Sequence, residues 1–337
     1  MRATILAGIA GALVLAVVAQ QLVHAQTGPL PLAGVFELHV LVAAGLLAIG
    51  AIVGSLRAGP AAAWTRLVAL SVVVVVVVRA GGELWSPTAT APAGDALTVL
   101  SWNLEYDSKP GPQAAAGIAQ IDADVVALQE LTPEYAGAID GDAKLKSRYP
   151  YRILDPQPGP EGLGILSKLP LVVRADDAGP RILRAGLLLR DGRTVEVFAV
   201  HPRRPVYRNV GPVPIALDTT DRDDDVSAVA GAVASLKDAH SALVVGDLNG
   251  TWNEPGLEPL RKLTIDAHEV AGVGPGFTWR PDPLEFLGFG ILRIDHVLSG
   301  GWLRPLETSL NCAAVGDHCR LIVRLAAQPE VVEPSSG

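Results

Sequence analysis

The chain has 337 residues, enough for one large domain plus accessory segments, and its 49% hydrophobic share with a mean hydropathy of +0.33 is high for a wholly soluble protein. The formal net charge is −8; residues 1–79 contribute +3 through Arg2, Arg57, Arg66 and Arg79 against Glu37, so residues 80–337 carry −11. Such a domain does not hold a polyanion by its global field, which argues against non-specific nucleic-acid binding and leaves local positive charge to a bound cation.

Residues 1–79 form an apolar region with three candidate membrane helices, 3–23, 32–56 and 61–78, each near the ~20 residues that cross a bilayer. The first holds no charge, the second only Glu37 and His39 near its start, and the third Arg66 one turn in, where it can snorkel to the interface. The run Val72–Val78 alone would also suit a buried strand. Met1-Arg2, the apolar core and Val23-His24-Ala25 also resemble a cleavable signal peptide, so removal of residues 1–25 is a second reading. Arg2 and the connector around Arg57 and Arg66 mark the inner side, and the uncharged His24–Pro31 side lies outside apart from its histidine. The chain then leaves the third span on the outer face whether or not the first is cleaved; Arg79 argues weakly the other way. Residues 80–96, rich in Gly, Pro, Ala and Thr, read as a linker, 97–325 as the catalytic domain, and 326–337 as a disordered tail.

Within 97–325, short apolar runs alternate with turn signals. Strands are expected over Leu97–Trp102, Val125–Gln129, Gly164–Leu166, Ala185–Leu189, Val195–Val200, Ala242–Val245, Ile294–Leu298 and Cys319–Arg324. Helices are expected over Pro112–Gln120 and Asp225–Ala239, the latter with Val226, Val229, Val233 and Leu236 at helical spacing. Interleaved strands and helices imply an α/β sandwich rather than an all-β fold. Tyr207–Thr220, with Pro212 and Pro214, reads as a long loop on the rim of a cleft.

Six of the apolar runs stop or start at polar residues: Asn103, Glu130, His201, Asp247 with Asn249, Asp295, and Asp317 with His318. One Asp or Asn after a strand is usually a turn former, and one His a solvated loop residue. Six such positions in one domain carry more weight. In their order they resemble the endonuclease/exonuclease/phosphatase family, through Trp102-Asn103, Gln129-Glu130, His201 followed by Pro205, Gly246-Asp247-Leu248-Asn249, Ile294-Asp295-His296 and Asp317-His318. The resemblance spans residues 97–325 and implies a four-layer α/β sandwich with two packed mixed β-sheets and a site at one end.

It also implies the chemistry. A phosphate ester is an anion that water attacks slowly, and a hard cation, Mg²⁺ or Mn²⁺, takes oxygen ligands and neutralises developing charge. Glu130 would be the main metal ligand with Asn103 beside it, Asp247 would orient or deprotonate water, and Asn249 would position the water or a phosphate oxygen. His318 would donate to the phosphoryl oxygen or share base duty, Asp295 would fix its ring, Asp317 would assist, and His201 would stabilise the leaving oxygen. Three departures from the family pattern, Gly316 for Ser, Arg320 for Pro and Leu248 for an aromatic residue, remove no reacting group.

Other features divide between functional and structural readings. Arg203 and Arg204 beside His201 are shaped for phosphate or for a solvated loop, and Arg320 for a phosphate contact or surface cover. Asp218, Asp221, Asp223, Asp224 and Asp225 lack calcium-loop spacing and read as acidic charge at a helix start. Phe277-Thr278-Trp279 would either stack a base or line a headgroup pocket, or simply pack. Cys312 and Cys319, the only cysteines, are too few for a thiolate metal site; they read as two unpaired thiols, or as a disulfide if the domain faces an oxidising compartment.

The sequence therefore points to metal-dependent hydrolysis of a phosphate ester, lipid-linked for a membrane-surface substrate. An anchored nuclease acting on extracytoplasmic DNA or RNA is the alternative enzyme. A membrane binding or resistance-associated protein that keeps the fold without turnover is the alternative outside catalysis, against which the complete set of reacting groups argues.

Overall fold

The computed structural model describes residues 1–56, 58–84, 96–108, 111–174, 179, 181–211, 213–281, 288–312 and 316–328. Arg57, most of the expected linker and the last nine residues of the tail lie outside these. Four helices open the chain: α1 (Arg2–Val23), α2 (Leu30–Val35), α3 (Glu37–Ser55) and α4 (Ala63–Leu84). Three, α1, α3 and α4 as far as Gly81, are long and apolar enough to cross a membrane. They pack through small and β-branched residues, among them Ala10, Val14, Ala44, Ala48, Ala69 and Val72, while Leu15, Leu46, Val53 and Val74 face outward.

Two boundaries differ from expectation. The second apolar stretch breaks at Phe36 into α2 and α3, so that Glu37 sits at a helix start, where it accepts from Arg79 Nε at 3.0 Å and Gln21 Nε2 at 3.1 Å. Arg79 and Glu37 thus form an ion pair between α4 and α3. The run Val72–Val78 is helical, and α4 continues through residues expected to begin the linker.

The rest is a four-layer α/β sandwich with two mixed six-stranded sheets. In the first, the order is Leu303–Asn311, Arg320–Ala327, Ala96–Asn103, Val125–Gln129, Leu163–Ser167 and Tyr151–Asp155. In the second, it is Ile265–Asp266, Asp295–Ser299, Ala242–Asp247, Thr194–Val200, Ile182–Leu188 and Leu171–Val173. Each sheet has one parallel pair at its centre and antiparallel pairs around it.

Strands buried on both faces explain the continuous apolar runs of the sequence. Val99, Val125 and Ala127 of one sheet meet Val197, Ala199, Leu243 and Val245 of the other between the sheets. Alternate residues point outward, as the period of two requires. Leu100, Trp102, Val126 and Leu128 pack on Ile118, Tyr135 and Ile139, and Phe198, Val200 and Val244 pack on Val226, Val229 and Val233. The last three lie on the helix Thr220–Ala234, which begins before the expected Asp225 because the acidic residues Asp221 and Asp223 form its first turn.

The stretch expected as a long loop is instead a hairpin, Val206–Val210 with Val213–Asp218, joined by the two-residue strand Thr27–Gly28. Its alternating, Pro-containing sequence concealed the pairing, because the strand that completes its edge, Thr27–Gly28, follows α1, far upstream in the chain. The cysteines form a disulfide, Cys312–Cys319, which corrects the reading as free thiols.

Candidate active site

The topology brings the six polar positions to one end. The parallel strands Ala96–Asn103 and Val125–Gln129 terminate side by side, with Asn103 opposite Gln129 and Glu130 next in sequence. In the second sheet Val200 and Gly246 are paired, so His201 and Asp247 emerge together. Asp295 opens the antiparallel neighbour directly opposite Asp247. His318 lies two residues before the strand Arg320–Ala327. Strand carboxyl ends of both sheets thus face one volume.

Local backbone chemistry supports this placement. At Gly246, φ is +156° and a Cβ would meet the Val200 carbonyl oxygen at 2.0 Å, so only glycine lets the strand turn the next residue, Asp247, into the site. Glu130 has φ +56°, a left-handed conformation uncommon for a non-glycine residue and characteristic of functional positions. Tyr106 N–H holds its Oε2 at 2.8 Å.

The side chains converge on Asp247. Asn103 Nδ2 donates to Glu130 Oε1 at 3.1 Å and to Asp247 Oδ2 at 3.0 Å. His201 Nε2 lies 3.6 Å from both Glu130 Oε1 and Asp247 Oδ2, and His318 Nε2 lies 3.6 Å from Asp247 Oδ2. Each imidazole is oriented from behind: His201 Nδ1 donates to the Pro160 carbonyl and His318 Nδ1 to Asp295 Oδ2, both at 2.8 Å. Asn249 N–H donates to Asp247 Oδ1 at 2.8 Å, while its side-chain amide donates to the Pro202 carbonyl at 2.9 Å. Asp317 stands at the edge, its Oδ1 3.8 Å from His318 Nε2 and its Oδ2 accepting Trp279 Nε1–H at 2.8 Å.

The ionisation states follow. Burial pushes the Asp247 carboxyl up, but the His318 and His201 imidazoles and the Asn249 N–H outweigh it and hold it at about 2. Burial pushes His318 down, and the carboxylates of Asp295 and Asp247 more than reverse this, leaving it well above the ordinary histidine range. His201 is likewise lowered by burial and raised further by Asp247 and Glu130. Burial pushes Asp317 up.

The donor set fits a hard divalent cation. Asp295 Oδ1 is buried with no hydrogen-bond partner, and Asp295 and Asp247 cluster with His318 within 4.8 Å; with His318 protonated, the carboxylates are the donors. Glu130 adds a carboxylate beside Asp247, and oxygen-rich sets of this kind suit Mg²⁺ or Mn²⁺. Asn103 is placed differently from the sequence expectation: its amide oxygen accepts Glu105 N–H at 3.0 Å and its nitrogen ties the two carboxylates together. In this arrangement Asn103 spaces the ligands, and its oxygen would have to turn inward to join them.

Two of the three arginines expected near phosphate, Arg203 and Arg320, are engaged elsewhere. Arg203 clamps Asp225 through Nε at 2.8 Å and Nη2 at 2.9 Å, fixing the loop to the helix Thr220–Ala234. Arg204 is exposed. Arg320 is buried, over the Trp102 ring and bonded to Gly117 O at 2.6 Å and Asn311 Oδ1 at 2.8 Å; it is neither a phosphate contact nor surface cover. The guanidinium fills the space beside an aromatic face, a use that a charged letter in sequence does not reveal.

Sequence reasoning passed over Arg222 and assigned Thr278 no role in the site. Thr278 Oγ1 accepts the backbone N–H groups of Ile294 and Asp295 at 3.2 Å each, setting the start of the Asp295 strand. Arg222 is 1% exposed, bonded to Asp223 Oδ1, Glu254 Oε2 and the Asn249 carbonyl. Phe277 stacks on His39, which supports the packing reading of Phe277-Thr278-Trp279.

Comparison with known proteins agrees with this geometry. The model of the endonuclease/exonuclease/phosphatase family matches residues 100–318. No protein of curated function matches the chain. Among solved structures, TDP2 of D. rerio, complexed with a single-stranded DNA product, superposes with TM-score 0.53 at 18% identity, covering 69% of this chain and 100% of that one. A functionally unknown conserved protein of Enterococcus faecalis V583 gives TM-score 0.51 at 14% identity, covering 69% and 100%. An endonuclease/exonuclease/phosphatase of Bacteroides vulgatus gives 0.51 at 13%, covering 70% and 100%. At these identities the likeness is one of fold.

Proposed function

The chain belongs to the endonuclease/exonuclease/phosphatase family, whose members are typically hydrolases acting on phosphoester bonds, and on that premise we propose that it is a membrane-anchored, divalent-metal-dependent phosphoesterase acting at the outer membrane surface. One observation carries the reading: Asn103, His201 and His318 all lie within 3.0–3.6 Å of the single oxygen Asp247 Oδ2, having arrived from both sheets.

Glu130 and Asp247, with Asp295 behind, would hold Mg²⁺ or Mn²⁺, which when bound neutralises phosphoryl charge and lowers the pKa of a ligated water. Asp247, kept ionised by its neighbours, orients the attacking water for in-line approach. His318, with Nδ1–H fixed on Asp295, presents Nε2–H to the phosphoryl oxygen that gains charge. His201, fixed in the same way on Pro160, presents Nε2–H to the leaving oxygen. Asn249 steadies the Asp247 carboxylate through its backbone N–H, and Asp317 lies where a second proton carrier would stand. An open groove of about 490 Å³ lined by Tyr106, Ser108, Glu134 and Pro158 adjoins Glu130 and would admit the substrate.

Anchoring and orientation are part of the same proposal. Three apolar helices and a disulfide support an anchored catalytic domain outside the cytoplasm. The charge of −11 on residues 80–337 favours a substrate presented by the membrane, a lipid-linked phosphate ester, over free nucleic acid. The test is a panel of phospholipid, plasmid DNA and p-nitrophenyl phosphodiester incubated with the full chain, Mn²⁺ or chelator. Headgroup release with Mn²⁺ alone supports the proposal, and cleavage confined to DNA would replace the lipid with a nucleic-acid substrate.

A further inference from the structure

The hairpin Val206–Val210/Val213–Asp218 stands apart from both six-stranded sheets, and among the described residues its one further strand pairing is with Thr27–Gly28. Its two faces differ. On one, Leu217 is buried with Val35 of α2, Leu292 and Ile294; Tyr207 is its cross-strand partner. On the other, Val206, Val210 and Val213 are exposed by 57% to 65%, joined by Ile215 at the bulge and by exposed Arg208. Among the described residues of this domain, no other element carries more than two exposed aliphatic side chains, Val172 and Val173 on Leu171–Val173, whereas here four share one hairpin, the pattern of a contact surface.

Its position names the partner. Thr27, paired with Asp218, follows the last residue of α1, Val23, by four residues, which at full extension reach no more than ~14 Å. The strand that carries the hairpin is therefore tethered at the end of an apolar span, and α2, which packs on Leu217, leads directly into the next span at Glu37. At its other end the hairpin begins five residues after His201. The face also carries Asp218, opposite Val206 at the end that pairs with Thr27, while its tip is aliphatic with Arg208, a composition that settles into a headgroup layer with the arginine reaching back to phosphate.

We propose that the outward face of this hairpin, Val206, Arg208, Val210, Val213 and Ile215, rests in the lipid headgroup layer and holds the mouth of the site against the bilayer. The proposal rests on the membrane-anchored part of the functional reading and not on hydrolysis. A second copy of the chain and an apolar protein partner are the competing occupants.

The experiment uses the full chain in nanodiscs of phosphatidylcholine and phosphatidylglycerol. Both native cysteines are disulfide-bonded, so V210C and V213C each offer one free thiol for an environment-sensitive dye, with the equally exposed V173C on the edge strand Leu171–Val173 as control. The expected result is a blue-shifted emission at 210 and 213 and a loss of intensity when the nanodisc lipids carry a nitroxide near the headgroup, with neither change at 173. Water-like emission at 210 and 213, or a blue shift that nitroxide lipids do not quench, would overturn the proposal; the latter would assign the face to protein. Because no turnover is read, an inactive but lipid-seated protein would contradict the hydrolytic reading alone.

Discussion

Asn103 and Asp247 lie 144 residues apart in sequence and on different sheets, yet the Asn103 amide donates to the Asp247 carboxylate at 3.0 Å while holding Glu130 with the same nitrogen. That nitrogen keeps two carboxylates close without a charge of its own. Replacing it removes a spacer rather than a reacting group. For N103A we expect weaker metal affinity, by roughly 10–100-fold, the usual effect of losing a residue that orients ligands. Mn²⁺ titration of activity reads it, and an unchanged half-saturating concentration would contradict the role.

Asp295 acts through His318. D295N keeps the shape but removes the charge that fixes Nδ1–H and raises the imidazole. The expectation is a fall in kcat of about 10–100-fold with little change in KM, as for other groups that orient a functional side chain. The basic limb of the pH–rate profile should move to lower pH, because His318 loses one of the carboxylates that keep it protonated. A profile with the same limb and lower amplitude would show Asp295 to be structural only.

Arg222 neutralises Asp223 and Glu254 at the root of the loop that carries Asn249. Asp223 also accepts from Gln26, so the same group links the connector after α1 to the site. R222M leaves two carboxylates facing each other in a buried place. The expected loss is about 3–5 kcal/mol of stability, measured by denaturant unfolding of the detergent-solubilised chain. A loss within experimental error would show that water already solvates this cluster.

Asp266 provides a test in acid. Burial raises its carboxyl, but Arg293 and His296 outweigh this and hold it far below the ordinary range. Its folded pKa is depressed, so its stabilising contribution is complete above the unfolded value, near ~3.9, and is lost as pH falls from there toward the folded value. D266N keeps a side-chain acceptor for the cap on His268 N–H. It should be less stable than the parent at neutral pH, with the gap narrowing progressively as pH falls below about 3.9. Parallel stability curves across this range would contradict the assignment.

The disulfide closes a short loop that contains Asp317 and His318. C312S/C319S is expected to lose about 2–3 kcal/mol by the loop-entropy relation. It should also lose activity at temperatures where the parent retains it, as read in thermal-inactivation curves with and without reductant. Identical curves would show that the loop is held by the strands alone.

Much of this was legible in the sequence because strand ends announce themselves: Val-Val-Ala-Leu-Gln-Glu and Leu-Val-Val-Gly-Asp each pass from a buried run to a polar residue at one step. The resemblance supplied the order in which they meet. What escaped were relations that depend on distant partners. Arg320 looks like a surface cation until Trp102 is placed beneath it. The 206–218 hairpin looks like a loop because its edge is completed by Thr27–Gly28, from the other end of the chain. The cysteines left pairing open in the sequence, since their bonding depends on where the domain faces as well as on spacing.

The most direct test of the central claim is hydrolysis of bis(p-nitrophenyl) phosphate by the full chain as a function of Mn²⁺, for the parent, E130A and D247A. The parent should be active with Mn²⁺ and silent with chelator, and both variants should fall by at least about 10²-fold, as when a general acid or base is removed. Turnover in either variant equal to the parent, or parent turnover indifferent to chelator, would contradict the site.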